Sequence, residues 1–362
     1  MNNSYIADYP SVEKRFDGWW QHKDIGRPLM RVIAKGRKGN VVPITIPEDI
    51  KDVYLDPRYL ADSYRNYCES HYFLADAYPN VSADIGPGSI ALYLGGEPKF
   101  SPDTVWFEEC LDDASLFTKL AYKEDNKWWV LHQKIVLELR ELANNDFIVN
   151  IPDMMENLDI LSAMRGPQQM CYDMIDNPDE VNAGVKIIDG VYFNYYDWFY
   201  NHLKEADGIA SFTAFNVLGE GRIAKIQCDF SALINPGMFR EIVQPSLRKQ
   251  CQNLKYSIYH LDGPDAIKHL DALMEIEELD ALQWTCGAGQ PDGACTQWYP
   301  IYDKVRSAGK SLWIMIQDGS IEDWAGSTQR LLDKYGDKGM YFLYPEFDDP
   351  EQAQKFIDRF NK

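Results

Sequence analysis

The chain has 362 residues, 45% hydrophobic and 25% charged, and its 36 basic against 56 acidic residues leave a net charge of −20. That balance fits one large globular core, and the negative surplus, with no basic run to offset it, disfavours nucleic acid or an anionic membrane as a partner. The N-terminus shows no basic region followed by an apolar stretch, no run of about 18 apolar residues occurs, and seven scattered cysteines include no CxxC pair; together these point to a cytoplasmic protein with reduced thiols and no membrane span.

The first element is a helix over Ser11–His22, with Val12, Phe16, Trp19 and Trp20 on one face, in an N-terminal helical extension covering residues 1–26. Pro28–Ala34 follows as the first strand, 35–56 as a loop or small subdomain, and 57–77 as a helix. Further strands are expected at 80–85, 147–151, 222–227, 255–260, 279–284, 311–316 and 340–344. Helices are expected at 122–144, 159–174, 178–204, 236–252, 265–274, 299–308, 321–334 and 349–361. Eight strand–helix units indicate a single-domain α/β protein, a (β/α)8 TIM barrel, with Thr104–Phe107 in an inserted hairpin or cap. An open doubly wound sheet is the rival, but no GxGxxG follows the first strand.

In such a barrel the chemistry gathers where the strands end. Asp84 follows the second strand and Asp153 the third, with Glu156 beyond it. Asp229 follows the fourth, and His260 and Asp262 end the fifth. Trp284 and Cys286 end the sixth, Asp318 follows the seventh and Glu346 the eighth. Asp153 and Asp318 also read as helix caps. Asp229 stands too far before Asn235-Pro236 to cap the helix there, so it is the better functional candidate. Alternation along a strand turns His260 and Asp262 the same way, where they can share a metal, a proton or a substrate. The plainer alternative is that Asp262 caps the next helix and His260 satisfies a buried hydrogen bond. A catalytic zinc needs about three protein ligands; His260 and Asp262 supply two, and Cys286 or Glu346 a third. His22, His71, His132, His202 and His269 lie in helical patterns and serve packing or the surface.

Between about Val81 and Glu346 the chain resembles the uroporphyrinogen decarboxylase superfamily, which also holds the cobalamin-dependent methyltransferases. The resemblance rests on Leu158–Gly166 with Asp173–Pro178, on Asp229–Phe239 with Pro245 (similar to DxSxxxSPxxFxxxxxP), and on Tyr259–Gly263 in the place of HxCG. Ser82-Ala-Asp-Ile85 is similar to the decarboxylases' FSDI, whereas Met30-Arg31 and Gly36-Arg37 only loosely echo their arginine motif, MRQAGR. The resemblance implies a methyltransferase moving a methyl group from a small methylated compound to a corrinoid carried by a partner protein, with zinc as the metal. His260 matches the first ligand, while Asp262 and Glu346 stand where thiolates are expected, which makes a harder site. On this reading Asp229, His260, Asp262, Glu346 and Asp84 are catalytic, with Glu346 or Asp84 donating a proton to the departing atom. Trp284, Gln283, Cys286, Gln227 and Asp153 contact substrate. A decarboxylase of a tetrapyrrole-like or other carboxylated substrate, or a non-catalytic small-molecule-binding barrel, are the alternatives, and the oligomeric state is left open.

Overall fold

Helix Tyr9–Trp20 opens the computed structural model, which describes residues 5, 6 and 8–361. Asp8 starts this helix by accepting a hydrogen bond from the Ser11 amide. Its aromatic face then closes the end of the sheet at which the strands begin. Trp20 stacks on Tyr256, Trp19 and Phe16 pack edge-on against Tyr341, and the Ser311 hydroxyl donates to the Trp19 carbonyl. The opposite end, where the strands finish, is left for the site.

The strands are β1 (Leu29–Lys35), β2 (His71–Ala75), β3 (Asn80–Val81), β4 (Pro98–Phe100), β5 (Val105–Phe107), β6 (Ile148–Val149), β7 (Ile209–Phe212), β8 (Val217–Glu220), β9 (Ile223–Gln227), β10 (Tyr256–Asp262), β11 (Ala281–Thr285), β12 (Ser311–Met315) and β13 (Met340–Leu343). Seven of them form one sheet in the order β2-β1-β13-β12-β11-β10-β9, parallel throughout except for β2 on β1. A second arc runs from β3 through β6 to β7, which meets the chain just after β6 through the Ile151–Phe212 bridge. The fold is mixed α/β, a large parallel sheet with many helices, TIM-barrel-like in its alternation. A closed eight-stranded ladder was expected; among the described residues the ladder does not close.

The reason is local. Antiparallel β2 occupies the edge of β1 that would face β3, and at the other end β7 pairs antiparallel with β8, which leaves the free edge of β9 without a ladder partner. Side chains hold the two arcs together instead. Glu156 accepts from the Gln227 amide at 2.6 Å, Asn157 donates to the Gln227 carbonyl at 3.0 Å, and the Trp313 indole donates to the Phe215 carbonyl at 2.9 Å.

Three helical expectations change. The helix over 57–77 stops at Ser70, and the apolar run His71–Ala75 becomes edge strand β2. The helix over 159–174 breaks at Gly166, which has φ +88° and precedes Pro167. The stretch over 265–274 begins as a 3₁₀ turn, Pro264–His269. The segment Thr104–Phe107 does enter a hairpin, β4–β5, which folds down on Gly86-Pro87-Gly88. Gly86, at φ +98°, is required there: a Cβ would meet the Phe107 ring at 2.8 Å. No helix among the described residues is long and apolar enough to cross a membrane.

Candidate functional site

Parallel pairing sets Gln227 of β9, His260 of β10 and Gln283 of β11 side by side in one row. Alternation then turns Lys225, Gln227, His260, Asp262, Gln283 and Thr285 toward the same face, and extended Cys228 carries the pattern on to Asp229. At the end of these strands one ligand atom each from Asp229, His260 and Asp262 lie within 4.8 Å of one another.

The histidine is held in one tautomer. Gln283 Nε2 donates to Thr285 Oγ1 at 2.8 Å, so its Oε1 faces His260 Nδ1, 2.5 Å away, and accepts the Nδ1 proton. Burial, and next the Lys225 ammonium, lower the His260 pKa. The ring is therefore neutral at pH 7, with the Nε2 lone pair free.

Beneath the triad lies a polar floor. Lys225, 1% exposed, pairs with Asp153 at 2.7 Å and donates to Gln227 Oε1. Burial opposes its charge, but Asp153 and Glu156 outweigh that and hold its pKa above the ordinary value. Gln227 Nε2 donates to Asp229 at 2.8 Å and to Asp159 at 3.1 Å. Asp159 accepts the amides of Asp229 and Phe230 at 2.9 and 2.8 Å, which fixes the 3₁₀ turn Asp229–Leu233. Asp84 accepts from the Asp153 amide at 3.1 Å and the Thr213 hydroxyl at 3.2 Å.

Two of these carboxyls sit near neutrality. Burial, then the charge of Asp153, pushes Asp84 up to about 7. Asp229 is exposed to solvent on one side yet crowded by protein on the other; burial and then Asp159 push it to about 7, with Lys225 pulling the other way. A carboxyl whose folded pKa is raised contributes stability below its unfolded pKa, and loses it as pH rises through the folded value. Asp84 therefore destabilises the fold increasingly between about pH 4 and 7. Asp84→Asn, which keeps an acceptor for the Asp153 amide, should match the parent near pH 4 and exceed it by roughly 1–2 kcal/mol at pH 8, discounted for partial solvent access. Calorimetric melting across that range checks this; a difference independent of pH would sink it.

Other candidates lie elsewhere. Glu346 accepts from the Tyr67 hydroxyl at 2.5 Å and stands 3.4 Å from the Nε2 of His71, which heads β2 rather than lying on a helix. Its carboxylate is not among the gathered ligand atoms, nor is the Cys286 thiol, which burial and then Asp292 push up to about 11. The third atom of the group comes from Asp229. Trp284 follows Gln283 and so turns to the other face of β11, against Trp298, though it still borders a cavity. Asp318 accepts from the Asp292 amide, and Ser320 caps the helix instead.

Two residues escaped the sequence reading. Lys225 carried a signal: a lysine amid the apolar strand Ile223–Gln227 asks for a buried partner. Asp159, in the first turn of helix Asn157–Arg165, looked like an ordinary first-turn acid.

Two cavities flank the triad. One of about 560 Å³ lies between β5, helix Asn157–Arg165 and the Asp229–Leu233 turn. The other, about 700 Å³, is bordered by Arg31, Phe215, Asp262, Gln283, Cys286 and Trp313.

No protein-family model matches the sequence, and no curated protein is significantly similar to it. Among solved structures, a methyltransferase from Methanosarcina mazei has a similar fold, with a TM-score of 0.62 at 12% identity, over 96% of this chain and 97% of that one. At that identity the likeness is one of fold.

Proposed function

We propose that the chain is a methyltransferase that moves a methyl group from a small methylated compound to a corrinoid carried by a partner protein, with a metal ion at Asp229, His260 and Asp262. The observation that carries this reading is the gathering of one neutral imidazole and two carboxylates at the ends of adjacent strands. The fold shared with a protein named as a methyltransferase supports it.

The donor set fits a divalent ion. Zinc–nitrogen and zinc–oxygen bonds of about 2.0–2.2 Å put tetrahedral ligands roughly 3.3 Å apart, and both aspartates are exposed enough to swing inward to that spacing. Two carboxylates and an imidazole make a harder site than thiolates would, suited to zinc or a harder ion. When bound, the metal supplies a Lewis-acid centre and neutralises the paired carboxylates. Gln283 keeps Nδ1 protonated and Nε2 available, as an outer partner does for a ligating histidine. Gln227 and Asp159 fix Asp229. Asp84, poised near neutrality, gives or takes a proton at the same end of the fold.

Purified without chelators, the protein should carry close to one divalent transition metal per chain, and should methylate a reduced corrinoid protein only in its metal-loaded form. Absence of metal after reconstitution with zinc, cobalt or manganese would overturn the metal-assisted reading. Full transfer by metal-free protein would overturn the metal's role alone.

A further inference from the structure

The cavity of about 560 Å³ on the Asp229 side has a lining of one charge sign. Glu109, Asp159 and Asp229 border it, and no lysine, arginine or histidine does. Asp159 is committed to three N–H donors. Glu109, by contrast, is exposed and makes no ion pair among the described residues. Apart from the hydroxyls of Thr104 and Ser162, the remaining wall is mainly apolar and aromatic, with Trp106, Phe107, Phe230 and Met155 in it. Trp106, 63% exposed on β5, stands at the rim. An anion would meet repulsion in this cavity, and a neutral apolar molecule would leave the Glu109 carboxylate without an ion pair. A cation with an apolar shell meets both demands, with aromatic faces for its charge and carboxylates for the remainder.

We propose that this cavity binds a methylated ammonium, so that the methyl donor of the reading above is a quaternary or protonated tertiary amine rather than an ether, alcohol or carboxylate. The inference rests on that reading for the role of the ligand, though not for its binding. In the transfer the C–N bond breaks with its electron pair passing to nitrogen, which leaves as a neutral amine. The acceptor supplies the pair for the new bond to carbon. No proton is required for the nitrogen to depart.

Calorimetric titration with choline and with its neutral carbon isostere, 3,3-dimethylbutan-1-ol, tests binding directly. It is done on chelator-treated protein without a corrinoid partner, so failure of metal binding or methyl transfer leaves the result standing. Choline should bind at least about tenfold more tightly than the isostere. Trp106→Ala and Glu109→Gln, both at exposed positions that the fold does not depend on, should each weaken choline about three- to tenfold. Equal affinity for the two ligands, indifference to both substitutions, or no binding of either ligand would overturn the proposal. Choline failing while metal binding and methyl transfer succeed would remove this inference alone.

Discussion

His260→Ala is expected to strip the metal and to lower methyl transfer by about 10³-fold or more, with the fold intact. A catalytic centre with three protein ligands cannot spare one, and His260 is the only nitrogen ligand in the group. Changing a residue that merely orients a ligand costs about 10–100-fold in affinity or activity, so loss of the ligand itself must exceed that. Gln283→Leu supplies this lesser case. It removes the acceptor for Nδ1–H, frees the ring to change tautomer, and should weaken metal binding by about 10–100-fold. The fold should tolerate His260→Ala because His260 sits half-buried at the end of β10, and Gln283→Leu because leucine keeps most of the volume of the buried glutamine. Metal content, activity and melting temperature of the two variants distinguish the outcomes. Equal metal retention in His260→Ala and the parent would place the ion elsewhere.

Much of the scaffold was legible because apolar runs in β9 to β13 are short and bounded by polar or glycine residues, and all five form within a few residues of where periodicity puts them. The order of the sheet follows once the strands are known, since parallel units linked by helices lie side by side. What could not be read was the open ladder. Antiparallel β2 and β8 take the edges of β1 and β7, and pairing across the seams passes to Glu156, Asn157 and Trp313, whose role depends on geometry that no local pattern carries. The edge strand β2 was hidden by a run whose apolar spacing suits a helix equally well. Within the site, period-2 alternation brings His260 and Asp262 together as expected, and the distance of Asp229 from the next helix start singles it out. Glu346 misled because position after a last strand says nothing about which neighbour a flexible carboxylate will meet. Here Tyr67 and His71 are closer.

Lys225→Met should have the largest effect on stability, about 3–5 kcal/mol at pH 7, because it leaves Asp153 and its buried neighbours without the ammonium they share. Methionine preserves most of the stem's packing, so the loss reports charge rather than volume. Asp153 loses its partner outright, and Asp229, Glu156 and Asp84 lose an ammonium that holds each of their pKa values down. Their folded pKa values then climb further. Since a raised carboxyl pKa withdraws stability as pH rises, the deficit relative to the parent should be widest above pH 7 and should narrow toward pH 4 to 5. Adding Asp153→Asn to Lys225→Met should restore part of the loss, because removing both members of a buried pair avoids stranding one. A second consequence falls on the site: without the ammonium, His260 protonates more readily, and a protonated ring has no lone pair for a metal. Metal affinity of Lys225→Met should thus weaken as pH falls, the reverse of its stability trend. Urea unfolding and metal titration over the same pH range separate the two effects. A loss below about 1 kcal/mol, or no rescue by Asp153→Asn, would show that the floor does not depend on this cation.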